Sequence, residues 1–480
     1  MQVLTPQSIQ EDIFSEAQML TYNMEDRKAL PLYDYLYRCI KNDILSGRIT
    51  VGEKLPSKRS LAKHLDISVI TVENAYAQLL LEGYITSHEK KGYFVNDTGS
   101  APQASCLIRP KAEEEFEYAY FADLKSNRIR RNRFPFSTWA KLLRDTLADR
   151  PEQLLKTVPY NGVYELRLAL AQFLHEFRGM QVLPSQIIIC SGTESMYGKL
   201  FCLLPDAMWA VENVGSQKIT GLYDMYHARW KPVSRDEYGV DMDSLHESGC
   251  NVVHVTPAQH FPVGTVMPVK RRTELLEWAK RQDYYIIEDD YDSEFWYQGR
   301  PAPTLYSMDG NGRVIYFNTF SKTLIPSLRI SYMVLPYELA MRYGSGLSFY
   351  SGTVPSMEQY ALARFISEGY FERHINHMRN YFKAQRGRLF EAVKGSPIAE
   401  ISRIHEISSG TYFLLELDTK IPDRELVERI KDKDINVACT SEYMPHNCAD
   451  THTLIINYCG VYAERIEETV ARIWEAVKEI

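Results

Sequence analysis

The sequence predicts two unlike domains in one chain. The first is a small α+β unit over residues 30–97. The second is a large α/β unit over residues 117–480, built on a mostly parallel sheet. Three observations lead there. The chain has 480 residues and a mass of 55.5 kDa, too long for one ordinary unit of ~100–200 residues. Its 45% hydrophobic and 24% charged residues are enough to bury a sizeable core, which excludes a disordered or fibrous chain. Helical periodicity gives way to two short strand patterns around a basic turn before residue 98. From residue 117 to the end, helical and strand patterns alternate in the manner of strand–helix–strand units.

The remaining segments read as connections. Residues 1–29 form a polar extension with weak patterning. Residues 98–116 form a linker, small and polar from Thr98 to Ser105 and acidic at Glu113–Glu115. A net charge of −7 and a pI near 6.0 exclude a chain that is basic throughout, but leave room for one locally basic module. The eight cysteines are scattered with no Cys-x-x-Cys pair, which points to a reducing compartment and gives no sign of a metal site. Glu11, Asp12 and Glu16 stand where a signal peptide would be basic. No apolar run approaches the ~20 residues of a membrane helix. A soluble, cytoplasmic protein is expected.

In the first unit, Leu32, Tyr35, Leu36, Cys39, Ile40 and Ile44 recur at helical spacing, and Gly47 can end the helix. A second helix follows Ser57 as N-cap, with Leu61, Ala62 and Leu65 inward. A third follows Ser68 and buries Val72, Ala75, Tyr76, Leu79 and Leu80, with Gly83 at its end. Tyr84–Thr86 and Tyr93–Val95 form a hairpin around Glu89-Lys90-Lys91-Gly92. Three helices and a hairpin are the parts of a winged helix-turn-helix. The short turn between the second and third helices lets the third enter a major groove while the second crosses the backbone. Lys58, Arg59, Lys90 and Lys91 are the candidate phosphate contacts. Ser57, Ser68, Thr71 and Asn74 are the short polar side chains placed to reach the duplex.

These residues carry a resemblance. Gly52-Glu-Lys-Leu-Pro-Ser-Lys-Arg-Ser-Leu-Ala62, Ile67-Ser-Val-Ile-Thr-Val72, Ala75-Tyr76 and Glu82-Gly83-Tyr84 resemble the GntR family of DNA-binding regulators. The resemblance implies binding to double-stranded operator DNA. Where that family often carries an arginine after the serine of the third helix, this chain has Val69.

The second unit holds three segments with chemistry. An apolar strand runs into Glu288-Asp289-Asp290-Tyr291-Asp292-Ser293-Glu294-Phe295. A second strand ends in Asn318-Thr319-Phe320-Ser321-Lys322-Thr323. Leu328-Arg329-Ile330 follows. Ligands of open α/β sheets bind beyond the carboxyl ends of the strands. Lys322 alone would read as a surface lysine, but its flanks change that. Two hydroxyls and an arginine suit a phosphate, a lysine can form a Schiff base with an aldehyde, and a carboxylate can hold a pyridinium nitrogen. These are the groups expected around pyridoxal phosphate.

The same segments look like the MocR/GabR group of regulators, in which a GntR-type winged helix precedes a fold-type I aminotransferase domain. The resemblance implies pyridoxal 5'-phosphate as cofactor. Lys322 would carry the aldimine link, Asp289 pair with the ring nitrogen and Tyr291 bond the ring hydroxyl. Thr319, Ser321 and Arg329 would hold the phosphate, together with the backbone of Gly192 and Thr193 in the Ser191–Glu194 turn. Thr256–Gly264 is similar to that group's ring-flanking loop. The chain departs from the group at Ser216, where a tyrosine stacks on the ring, and has no arginine between Asn436 and Tyr462. The resemblance also implies a homodimer.

The function expected is a transcription regulator that senses an amine, an amino acid or pyridoxal phosphate itself. The alternative is a working aminotransferase with an appended DNA-binding module. Lys218 reads as a solvated lysine, with a ligand anion as the alternative partner, and the basic run Lys125–Arg133 reads as a solvated strand edge or a brace between the domains, with a DNA contact beside the wing as the alternative.

Overall fold

The computed structural model describes residues 19–27, 30–98, 120–126, 133–215, 217–297, 302–444 and 448–478. Most of the polar extension, nearly all of the linker, Ser216 and the middle of the basic run lie outside the described residues. The chain divides into two compact units, Met1–Glu117 and Tyr118–Ile480.

The first unit has three helices, α1 (Leu32–Leu45), α2 (Lys58–His64) and α3 (Val69–Leu81). Its strands are β1 (Lys54–Leu55), β2 (Ile85–His88) and β3 (Gly92–Val95), in the order β1-β3-β2. The periodicity predicts why they fold together. Leu36, Ile40 and Ile44 of α1, Leu61 of α2, and Val72, Ala75, Tyr76 and Leu79 of α3 share one core with Ile85 and Val95. Ser57 and Ser68 cap α2 and α3, accepting from the Ser60 and Thr71 amides at 3.1 Å. Each such cap is worth ~1 kcal/mol. Tyr76 donates to the Pro56 carbonyl at 2.9 Å, which locks α3 against the entry to α2. The two-residue strand β1 is an addition to the predicted hairpin, set by the pairing Lys54↔Phe94 and Leu55↔Tyr93.

The second unit is built on a seven-stranded sheet. Its order is Ile187–Cys190, Ser331–Val334, Val314–Thr319, Tyr285–Asp289, Val252–Val255, Met208–Glu212 and Arg229–Val233. Only Ser331–Val334 runs against the others. The mostly parallel sheet is as the alternation predicts. Strands such as Ile187–Cys190 and Val252–Val255 are buried at every residue, because helices cover both faces. The end of the unit adds a second sheet. Ser402–His405, Tyr412–Leu417, Thr453–Asn457 and Ala438–Cys439 form a second, antiparallel sheet. Ser402–His405 and Tyr412–Leu417 pair across a short connection, while Tyr412–Leu417 pairs with Thr453–Asn457 across a segment that contains the helix Asp423–Asp432.

Candidate functional site

The parallel strands of the large sheet all end at the same edge, and a cavity of about 960 Å³ opens there. Gly192, Thr193, Asp289, Tyr291, Thr319, Ser321, Lys322 and Arg329 all line it. The structure therefore brings together every residue that the sequence assigns to the cofactor. Topology does this: Asp289 pairs in register with Phe317, two residues before Thr319, and Thr319 faces Ser331 on the antiparallel strand.

The lysine sits on one turn of helix, Phe320–Thr323. Thr319 caps that turn, accepting from the Ser321 amide at 3.2 Å and donating to Ser321 Oγ at 3.1 Å. Buried His374 contacts the Thr323 carbonyl at 2.9 Å and fixes the end of the turn. Lys322 Nζ lies 5.3 Å from the centroid of the Tyr291 ring. Tyr291 OH donates to the Gln259 carbonyl at 3.3 Å, and burial pushes that phenol well above its ordinary pKa.

An anion-binding corner lies opposite. Gly192, with φ +104°, precedes the helix Thr193–Leu203, and its amide donates to Ser331 Oγ at 2.9 Å. A Cβ on Gly192 would collide with the guanidinium of Arg329, so only glycine lets that cation reach the helix start. Arg329 donates to Glu194 Oε2 at 3.1 Å, and Lys218 pairs with the same carboxylate. Two cations, a helix start and two hydroxyls converge on one corner, the chemistry of a phosphate site.

Further polar groups enter from elements that sequence reasoning did not join. His254 Nε2 lies 3.5 Å from Asp289 Oδ2. His260 Nε2 lies 3.2 Å from Glu212 Oε2, and Arg235 Nε lies 3.8 Å from Glu212 Oε1. Lys125 pairs with Glu442 at 2.7 Å and also lines the cavity, so it is part of this site although its side chain remains exposed. Phe261, Tyr412, Tyr443 and Ile455 form an apolar side to the cavity. Among the described residues, Thr256 Oγ1, His254 Nε2 and His260 Nδ1 are buried without a hydrogen-bond partner. Buried polar atoms are costly unless something satisfies them, and these three lie in the cavity wall. The wall thus fits a compact, polar, phosphorylated heterocycle.

The carboxylate run is not one cluster. Strand alternation sends Asp289 and Tyr291 into the cavity and Glu288 and Asp290 to the other face. There Glu288 accepts from the Leu305 and Tyr306 amides at 2.8 and 2.9 Å. Asp290 accepts from Tyr316 OH at 2.7 Å and pairs with Arg178.

On the small unit, Arg59, Lys90 and Lys91 are exposed, as are Ser57, Ser68 and Asn74; Lys58 and Thr71 are half-buried. Lys58 pairs with Glu73 at 2.5 Å and lies 5.8 Å from the centroid of the Tyr93 ring, tying α2, α3 and the hairpin together. Lys90 takes the left-handed conformation, φ +62°, at the hairpin tip.

Among the described residues, no helix is long and apolar enough to cross a membrane. Residues 32–95 match the description "Bacterial regulatory proteins, gntR family", and residues 121–473 match "Aminotransferase class I and II". The uncharacterized HTH-type transcriptional regulator YdeL of Bacillus subtilis is 36% identical, covering 94% of this chain and 97% of its own. The probable rhizopine catabolism regulatory protein MocR of Rhizobium meliloti is 31% identical, covering 93% and 94%. The fold of the large unit is also that of a kynurenine aminotransferase from Pyrococcus horikoshii. The TM-score is 0.65 at 23% identity over 76% of this chain and 92% of that one. A gntR-type head on an aminotransferase body, shared with these regulators over nearly the whole length, makes the chain a member of the MocR-type HTH transcriptional regulators.

Proposed function

We propose that this regulator binds operator DNA through residues 30–97 and holds pyridoxal 5'-phosphate in the cavity of residues 117–480, where it senses a small amine, an amino acid or the cofactor itself. The observation that carries the reading is the convergence of Asp289, Tyr291, Lys322, Thr319, Ser321 and Arg329 on one cavity. When bound, the cofactor supplies an aldehyde that primary amines attack. Asp289, with His254 beside it, holds the ring nitrogen, and Tyr291 holds the ring hydroxyl. Thr319, Ser321, Arg329 and the Gly192–Thr193 backbone hold the phosphate. Lys322 offers the amine that an effector amine competes with. A ligand that distinguishes two states of the chain shifts DNA binding by that difference in affinity. The reading includes a homodimer matched to paired half-sites in the cytoplasm.

The test is a titration of full-length protein with pyridoxal phosphate and then with a panel of amines and amino acids, followed by visible absorbance and by DNA affinity. A spectral change with a matching change in DNA affinity is expected. Sustained amino-group transfer near ~1–10 per second, the ordinary enzyme range, would instead favour a working aminotransferase.

The DNA face has its own expected result. Arg59→Ala and Lys91→Ala each weaken binding and lower the slope of log affinity against log salt by about 1, since each removes one phosphate contact. Salt titrations on a duplex selected by the protein check this. Slopes equal to wild type would remove these residues from the interface.

A further inference from the structure

The recognition helix carries an unusual face. Helix α3 reads Val-Ile-Thr-Val-Glu-Asn-Ala-Tyr-Ala-Gln-Leu-Leu-Leu and contains no lysine or arginine. Its first turn exposes two branched aliphatic side chains, Val69 at 43% and Ile70 at 67%. They stand outside the core, which takes Val72, Ala75, Tyr76 and Leu79 from the same helix. Three of the polar residues around them, Ser68, Thr71 and Glu73, are already engaged, while Asn74 is exposed. Ser68 Oγ and Thr71 Oγ1 bond each other at 2.8 Å, Ser68 Oγ also accepts the Thr71 amide, and Glu73 is paired with Lys58. Cations stand on elements packed near α3, with Lys58, Arg59 and Lys63 on α2 and Lys90 and Lys91 at the hairpin tip. An apolar helix start in a unit that also presents cations matches a groove edge that is apolar between phosphates. Among the four bases, thymine alone presents a methyl group in the major groove.

We propose that Val69 and Ile70 read the 5-methyl groups of thymines in the major groove. Sequence preference of this regulator then rests on apolar contact more than on a charged bidentate contact to guanine. The inference rests on the docking of α3 into the groove set out above. It predicts an operator with thymine at the positions facing the start of α3.

The test uses the full-length protein and a duplex that it selects from a random-sequence library. Each thymidine of the selected motif is replaced in turn by deoxyuridine, which removes only the methyl group. Wild-type affinity is expected to fall about fourfold at one or two positions per half-site, the worth of one buried methyl. Val69→Ala or Ile70→Ala should weaken binding to the thymine duplex by a similar factor and then be indifferent to uracil at the matching position. Alanine favours an exposed helix position over valine or isoleucine, so weakened binding does not report unfolding. Uracil that costs nothing at every position overturns the inference, as does an equal penalty in wild type and both variants. Variants that keep full DNA affinity but change the oligomeric state or the effector response also overturn it, by assigning the patch to a protein contact. A protein that selects no motif at all refutes the docking itself, an outcome separate from these.

Discussion

Lys322→Ala should abolish covalent retention of pyridoxal phosphate. Borohydride reduction of the loaded wild-type protein is expected to fix about one cofactor per chain on the Lys322 peptide, and none on the variant. Among the described residues the cavity contains two other lysines, and neither is placed to substitute. Lys125 is paired with Glu442 and Lys218 with Glu194, and their side chains are 41% and 56% exposed. Lys322 instead stands above Tyr291, on a turn fixed by Thr319 and His374. The buried acid Asp292 senses its charge. Burial pushes the Asp292 carboxyl up to about 7, and the Lys322 charge is the main influence opposing that rise. Peptide mass spectrometry after reduction is the measurement. Label found on Lys125 or Lys218 in the wild type, or undiminished label in the variant, would defeat the assignment. The variant should still bind the selected duplex, because no residue of α2, α3 or the hairpin is altered. It should lose the response of that binding to amines.

The candidate site was legible where its residues are contiguous. Thr319, Ser321, Lys322 and Arg329 lie within eleven positions around one strand end, so their spacing already joins them in space. Glu212, Arg235 and His260 are far apart in sequence, and only the order of the parallel strands makes them neighbours. No local pattern announces such a trio. His254 could have been found, since it stands two residues before the Thr256–Gly264 loop on a strand ending at the same edge. Lys125 could not, because its partner Glu442 is 317 residues away. In the small unit the helices, caps and hairpin were readable because helical spacing and capping residues are local signals. The pairing of β1 with β3 is not one. The antiparallel second sheet was hidden for a related reason: Tyr412–Leu417 is nearly all buried, so it lacks the alternation that marks a one-sided strand.

Three carboxyls, Glu288 and Asp292 buried and Glu294 half-buried, make stability depend on pH in a direction unusual for acids. Burial, with the neighbouring Asp290 charge adding to it, pushes Glu288, Asp292 and Glu294 each up to about 7. The cations set against them are Arg272 beside Glu288, Arg178 on Asp290, and Lys322 near Asp292. In the unfolded chain these groups titrate near ~4. Between about pH 4 and pH 7 the folded protein therefore holds more protons than the unfolded one, so stability falls as pH rises through that window and levels off above it. Carboxyls shifted the other way, such as Asp236 and Asp423, act only below their unfolded values and stay constant here. His374, held below its usual value by burial, opposes the trend as one group against three. Cofactor-free protein should therefore be more stable near pH 5.5 than near pH 8, by on the order of a few kcal/mol. Glu294→Gln keeps an acceptor for Asn318, which donates to Glu294 Oε1 at 3.1 Å, and removes one titrating group. That variant should gain stability near pH 8 and show a flatter profile. Urea unfolding midpoints across the range measure both effects. A wild-type profile that is flat or rises toward pH 8, or a Glu294→Gln profile parallel to it, would mean that these carboxyls are satisfied as anions in the fold.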